Sequence, residues 1–394
     1  MSVSRILHVM GRMDRAGAET LVVTILHSLD RSRYQFDFLV RSTEPGHYDM
    51  ELTRLGCRIF RCPHRPNPLA YCKAAYAIMR DQGPYCAVHS HLHYFDGLTL
   101  TIARAAGVPV RISHSHSTSD GCGSSRTREA YRQIMRAVIR LSATHRVGVS
   151  DSAYSALFGE KEPTESKIIA RNGLRLPLFD PSNALDLRRE RNLPAHACLI
   201  GHVGRMIPAK NHGFLLQVFA EFRKLEPLAE LILVGEGPMK ATIAALARDL
   251  KVSEHVHFLG VRDDVCALLQ SLDGFVFPSQ YEGLGIAVVE AQVAGLSCVA
   301  SRAVPDEADV GCGLLHFLAL EEGPEVWATM LAKQLRAPRP NWEVRAACLG
   351  SSGYDMADIA KTWMNIYSGA GAADRETAIL PRLAEQPGCD NRAD

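Results

Sequence analysis
Short apolar runs and helix-period stretches alternate along almost the whole chain, and the alternation starts twice. The first series runs from RILHVM (5–10) and FDFLV (36–40) through CRIFRC (57–62), CAVHSH (86–91), VPVRISH (108–114) and HRVGVS (145–150) to KIIARNG (167–173). Helical patterns fall between these runs at 19–29, 48–56, 69–81, 97–106 and 127–141. The second series runs from CLIGHVG (198–204) through LILVG (231–235), HVHFLG (255–260), GFVFPS (274–279) and SCVAS (297–301) to LLHFLA (314–319). It too has helices between its strands, and it ends in helical patterns near 324–336, 342–350 and 354–368. Strands of this composition, each followed by a helix, predict parallel sheets covered on both faces. Between the series, LRLPLFDPSNALDLRRERNLP (174–194) breaks the pattern with prolines and charges and reads as a linker. A chain of 394 residues is expected to form two domains. The predicted fold class is α/β: two doubly wound, Rossmann-like domains facing across a cleft, 1–176 and 196–350, joined by 177–195. In such sheets ligands sit at the carboxyl ends of the strands, so each strand-to-helix loop is a candidate site. The polar stretch 369–394 has little to pack and is expected to be disordered.

Net charge is +1, so no global field points to nucleic acid or membrane, and electrostatic recognition must be local. The eleven cysteines include no CxxC pair and no zinc-ligand spacing, which fits a reduced, cytoplasmic setting. The N-terminus carries only a short apolar strand before polar residues, unlike a signal peptide. No apolar run approaches the ~20 residues of a membrane span.

Four loops hold candidate chemistry. EGLGIAVVE (282–290) places two glutamates around a glycine step, which first suggests an acid/base pair. On one helix they would stand ~80° apart. With the glycine step between them, Glu282 falls in a loop and Glu290 on the helix. In GRMIPAKNH (204–212), Arg205 ends a strand and Lys210 precedes a helix. Two cations at a helix N-terminus oppose its dipole unless an anion lies there; the alternative is two solvated surface charges. A diphosphate site without a metal needs such cations, and neither a convincing DxD nor a Walker sequence is present. Asp263-Asp264 read as first-turn acids of a helix. GRMDRAGAE (11–19) is not GxGxxG, but Gly17 opens a helix whose N–H groups could face an anion, or it makes a plain tight turn. In VGEGPM (234–239), Gly235 either admits a ligand or serves only the turn, and Pro238 suits a first helical position.

Histidines cluster in HSHLH (89–93) and SHSHS (113–117). Residues 89, 91 and 93 would share one strand face, which invites a metal site or the HxH of a metal-dependent hydrolase. With no cysteine or acid ladder beside them, histidines lining a cleft are the preferred reading, and no metal is expected. His114 or His116 could then contact a sugar or assist a proton transfer. The helix TREAYRQIMRAVIRL (127–141) carries Arg128, Arg132, Arg136 and Arg140 at i+4 spacing. That face is either solvated or a basic surface for anionic lipid or a lipid-linked diphosphate.

With these loops in place, the chain resembles the GT-B glycosyltransferases of family 4, in particular bacterial members that build exopolysaccharide or capsule repeats. The resemblance spans roughly residues 4–370. It rests on RILHVMGRMDRAGAE, VGVSDSAYSALFG, ARNGLRLPLFDP, VGRMIPAKNH, LVGEGP, VHFLGVRDDV and SQYEGLGIAVVEAQVAG. It implies a retaining, metal-independent transferase needing no cofactor, with a nucleotide-sugar donor of uridine type. The implied acceptor is a glycan or a polyprenyl-diphosphate-linked sugar at the inner face of the cytoplasmic membrane; nucleic acid is not an implied partner. Arg205 and Lys210 would hold the donor diphosphate. Glu282 would bond the donor sugar and Glu290 the ribose. The backbone N–H groups of Gly283, Leu284 and Gly285 would approach sugar and phosphate. Val261 and Arg262 would flank the base, and Gly17 would let the first helix approach the diphosphate. His116 matches the family's cleft histidine, with His114 as the alternative. The last helix, 354–368, would cross back to the first domain. Two departures stand out. Ala16-Gly17-Ala18 replaces the paired glycines of many relatives, and EGLGIAVVE lacks the common phenylalanine after its first Glu-Gly. Two other readings remain at this stage: a non-catalytic nucleotide-sugar-binding partner subunit, and an NADP-dependent oxidoreductase using Arg41 after the second strand.

Overall fold
The computed structural model describes residues 3–62, 67–123, 125–159 and 167–369. The reading of 370–394 as a disordered tail lies outside the described residues. The first series forms a parallel sheet of β1 (Ser4–Met10), β2 (Tyr34–Val40), β3 (Ile59–Arg61), β4 (Tyr85–Ser90), β5 (Val110–Ser115), β6 (His145–Gly148) and β7 (Ile168–Ile169). Its order is β3-β2-β1-β4-β5-β6-β7, so the winding reverses between β1 and β4. The helices are α1 (Gly17–Ser28), α2 (Asp49–Arg54), α3 (Pro68–Asp81), α4 (Asp96–Ala105), α5 (Arg126–Ser142) and α6 (Asp151–Phe158). β2 is buried along its whole length, as a strand covered on both faces must be.

The second series repeats the plan. Its strands are β8 (Cys198–Val203), β9 (Ala229–Val234), β10 (Val256–Gly260), β11 (Gly274–Phe277), β12 (Ser297–Ser301) and β13 (Leu315–Leu318). They are parallel in the order β10-β9-β8-β11-β12-β13, which reverses between β8 and β11. After the short α7 (Leu187–Glu190) come α8 (His212–Leu225), α9 (Lys240–Asp249), α10 (Val265–Leu269), α11 (Ile286–Ala294), α12 (Pro324–Leu335), α13 (Trp342–Ser351) and α14 (Met356–Tyr367). This is the α/β class expected from the sequence, with one doubly wound sheet in each half.

Several local readings change. The strand expected over 167–173 shrinks to the two residues of β7. α6 follows directly on the expected strand HRVGVS (145–150) and is not among the expected helices. Its start is nonetheless encoded, since the Ser150 hydroxyl accepts from Ala153 N at 3.1 Å. Pro238 lies in the turn before α9 rather than opening it. The linker is not a free tether: Phe179 and Leu187 are buried in the core of the second sheet.

α14 lies against the first sheet. Met356, Ile359, Trp363 and Tyr367 share a core with Ile6, Phe36 and Val147. Burying a large side chain of this kind contributes roughly 3 kcal/mol, so this short helix is firmly held. The crossing point is close: Leu174 N donates to Tyr354 O at 2.8 Å. A Cβ on Gly173 would lie 2.6 Å from Met356 Sδ.

Candidate active site
The loops leaving β8 and β11 stand side by side because the second sheet reverses its order between them. Brackets of this kind bind ligands in open α/β sheets. After β8, Arg205 is exposed, and its charge acts on Glu19 of the first half. Lys210 ends a short turn (Pro208–Lys210), and Asn211 takes the left-handed conformation at φ 51° to start α8. Lys210 Nζ lies 2.5 Å from Glu282 Oε1 and 4.6 Å from the centre of the Phe277 ring. The local argument for two unpaired cations is therefore half corrected. Lys210 has a carboxylate partner from a loop 72 positions away.

The glycines after β9 answer to packing. At Gly235, whose φ is 130°, a Cβ would lie 2.2 Å from Gly204 O; at Gly237 it would lie 2.4 Å from Met206 O. The β8 loop fills the space on that face.

After β11, Gly285 at φ 78° turns the chain into α11. Gly283 touches the other half of the molecule. Its Cβ would fall 2.0 Å from His116 O. The Ser150 hydroxyl donates to Gly283 O, and Thr118 Oγ1 donates to Glu282 O at 3.1 Å. The N–H groups of Gly283, Leu284 and Gly285 find no backbone acceptor among the described residues. Glu290 sits on α11, as the sequence placed it, and burial raises its carboxyl to about 7.

From the first half, α1 begins at Gly17 with no side-chain cap from Ala16, and the space beside Gly17 is open. Its first turn carries Glu19, half-buried, whose carboxyl is raised to about 7, mainly by burial. Tyr48 is buried, bonds Thr20 through its hydroxyl at 2.9 Å, and lies near enough to Glu290 for that charge to raise its phenol further. Arg15 pairs with Asp263 at 3.5 Å across the cleft. A cavity of about 480 Å³ opens there, lined by Arg15, His47, Glu236, Val261, Arg262 and Asp263. The Arg262 guanidinium is held by Asp264 and by Glu190 of α7. Asp264 thus directly precedes α10, while Asp263 serves the cleft pair. Sequence reasoning missed Arg15, Glu19 and Tyr48. Only Glu19 left a trace, as an acid in a first turn, which a helix dipole explains without any ligand.

The raised Glu290 gives a pH signature. A carboxyl raised in the folded state contributes stability that is fully present below its unfolded value of 4.5 and is lost as pH rises through about 7. Thermal stability without ligand is therefore expected to fall between about pH 4.5 and pH 7, and Glu290→Gln to flatten that fall. A melting series for both proteins checks this. An equal slope in the variant would remove Glu290 as the cause.

The histidine reading changes too. His93 leaves the set: it lies in a turn at φ 57°, near Ser117 and Asp120. His114 is 1% exposed, whereas His116 is half-buried with its backbone against Gly283. Burial, more than neighbouring charge, holds the His116 ring down at about 3, so it is neutral.

Three of the four arginines of α5 are half-buried, and Arg140 is exposed. Arg128 and Arg132 both bond Asp120, at 2.7 and 2.8 Å. Arg136 and Arg140 donate to the carbonyls of Ala156, Leu157 and Phe158. Cations there satisfy the orphan carbonyls at the end of α6 and complement its dipole. α5 also carries an exposed apolar line of Ala130, Ile134, Ala137 and Leu141, with Ile134 58% and Leu141 74% exposed.

Comparison with known proteins matches residues 14–162 to the family described as Glycosyl transferase 4-like domain. Residues 185–311 match Glycosyl transferases group 1. The chain is 36% identical over 372 residues to EpsF of Bacillus subtilis (strain 168), which carries a glycosyltransferase name; the match covers 93% of this chain and 97% of EpsF. It is 26% identical to the capsular polysaccharide biosynthesis glycosyltransferase CapH of Staphylococcus aureus, over 84% of this chain and 90% of CapH. In fold it resembles Anabaena Alr3699/HepE, solved in complex with UDP-glucose. That match has a TM-score of 0.75 at 17% identity and covers 93% of this chain and 99% of HepE. Arg41 has its guanidinium 3.9 Å above the Phe95 ring, so the residue behind the oxidoreductase reading is engaged inside the first half. The chain belongs to the GT-B glycosyltransferases of family 4 and is a sugar-transferring enzyme.

Proposed function
We propose that the enzyme moves a sugar from a uridine-diphosphate sugar, with retention and without a metal, to a glycan or lipid-linked acceptor in surface polysaccharide assembly. The observation that carries this reading is the Lys210–Glu282 pair between two strand ends at the reversal of the second sheet. A cation and a hydroxyl acceptor at that spacing suit the diphosphate and the sugar of one donor. Arg205 adds a second cation at the mouth, the open start of α1 faces it from the other half, and Glu290 takes the ribose hydroxyls. Two cations offset the charge that builds on the leaving diphosphate, and the departing phosphate is suited to take the acceptor proton. UDP as nucleotide follows the HepE complexes, and surface polysaccharide follows the CapH name.

A panel of nucleotide sugars tests donor class. Thermal shift with the purified chain is expected to rise with at least one uridine-diphosphate sugar in chelator-treated buffer. A rise only with guanosine or adenosine donors would replace the nucleotide in this reading.

No helix of the described residues is long and apolar enough to cross a membrane. Contact with the inner membrane face, in this reading, falls to the Ile134–Leu141 line of α5 with Arg126 beside it. The double change Ile134→Ser/Leu141→Ser is expected to reduce sedimentation with anionic vesicles. Unchanged sedimentation would take α5 out of membrane contact.

A further inference from the structure
Five imidazoles meet where the first sheet reverses its order. They are His8 on β1, His89 on β4 with His91 just beyond it, and His114 on β5 with His116 just beyond it. They form two hydrogen-bonded chains. In one, His8 Nδ1 lies 3.1 Å from His91 Nε2, and His91 Nδ1 lies 2.8 Å from His116 Nε2. In the other, Tyr367 Oη lies 3.0 Å from His89 Nδ1, and His89 Nε2 lies 3.1 Å from His114 Nδ1. The chains end in buried nitrogens with no partner: His8 Nε2, His114 Nε2 and His116 Nδ1.

A neutral imidazole has one N–H and one lone pair. If His91 donates to His8, its Nδ1 lone pair faces His116 Nε2, which turns a lone pair the same way when His116 carries its proton on Nδ1. If His114 donates to His89 and His89 to Tyr367, His114 Nε2 is a bare lone pair. Buried lone pairs without a donor carry a desolvation cost, and a cation would remove it.

We propose that His91, His114 and His116 form a binding site for one divalent transition-metal ion of the zinc class. One nitrogen from each lies within 4.8 Å of the others. Three neutral imidazoles favour zinc, cobalt, nickel or copper over magnesium or calcium. Burial, with neighbouring rings, holds all three below the usual imidazole range, so protons do not compete at neutral pH. Ligand bonds of about 2.0–2.1 Å in a tetrahedron set nitrogens roughly 3.3 Å apart. The 2.8 Å bond between His91 and His116 then opens by about half an ångström. The outer hydrogen bonds survive: His91 keeps His8, and His114 keeps His89 with Tyr367 behind it. Such partners orient metal-bound histidines. His91 and His116 are half-buried, which gives an entry path. The other converging set, His8, His89 and His91, has two members at 0% exposure and lacks one. The ion takes no part in sugar transfer.

The test uses the full chain, treated with chelator and titrated with Co²⁺. The expected result is the visible absorption of four- or five-coordinate cobalt, saturating at one equivalent and displaced by one equivalent of Zn²⁺. His91→Gln and His116→Gln are expected to abolish it, Tyr367→Phe to weaken binding about tenfold, and His257→Gln, on β10, to leave it unchanged. Absorption that stays that of six-coordinate aqueous cobalt overturns the proposal, as does a band that survives in both ligand variants. Circular dichroism checks their folding; should either fail to fold, unchanged affinity in Tyr367→Phe overturns it instead.

Discussion

Lys210→Ala is expected to lower kcat by roughly 10²–10³-fold while the protein stays folded. That is the size of effect seen when one preorganised charge-stabilising donor is removed from an active site. Stability changes far less. The Lys210 and Glu282 side chains are 18% and 11% exposed, so the carboxylate left behind still reaches water. The loss should be on the order of 1–2 kcal/mol, below the 3–5 typical when one partner of a fully buried pair is removed. A purely structural pairing makes a different forecast. If Lys210 served only to neutralise Glu282, the double change Lys210→Ala/Glu282→Ala would restore turnover. In the proposed roles the double variant is as inactive as either single one, because each side chain holds a different part of the donor. Kinetics on the three variants, with melting curves beside them, separate the two.

Gly283→Ala should cost at least as much for a different reason. A methyl group there would overlap His116 O at 2.0 Å. No side chain can swing away, because the obstacle is backbone. The two halves must part, and the bonds from Ser150 and Thr118 to this loop are lost. A misplacement of about 1 Å in a catalytic site can lower the rate 10²-fold, and turnover is expected to fall by that factor or more. Leu284, the next residue, shares a core with Val149 and Ala153 of the first half, so the melting temperature should fall as well. Gly350→Ala on α13, where an added methyl meets nothing within 4 Å, is the matched control and should keep full activity. Near-normal turnover in Gly283→Ala would mean that the contact between Gly283 and His116 plays no part in the working enzyme.

The two-sheet plan was legible because parallel strands buried on both faces must be continuous apolar runs, and those runs survive any sequence context. The β8 and β11 loops were legible because glycine, cation and glutamate stand at strand ends. What stayed hidden was the choice of partner. Lys210 finds Glu282, Arg15 finds Asp263 and Arg132 finds Asp120 only after folding. The arginine spacing on α5 was read correctly as one face, but Arg128, Arg132 and Arg136 are half-buried there while Arg140 is exposed. Helical period fixes which residues align but not which side meets protein, and here the acceptors were Asp120 and the carbonyls ending α6. His8 is the sharpest case. It sits inside RILHVM, which reads as a strand with a polar residue between its apolar ones. Its ring completes a cluster only because β1 lies beside β4, an adjacency set by the reversal of the sheet.

The most direct measurement is UDP release from a uridine-diphosphate sugar by the purified chain in excess chelator, with and without Lys210→Ala. The account predicts steady release by the unaltered protein, undiminished by chelation, and a loss of roughly 10²–10³-fold in the variant. Release that stops on chelation, or continues at the same rate in Lys210→Ala, would contradict it.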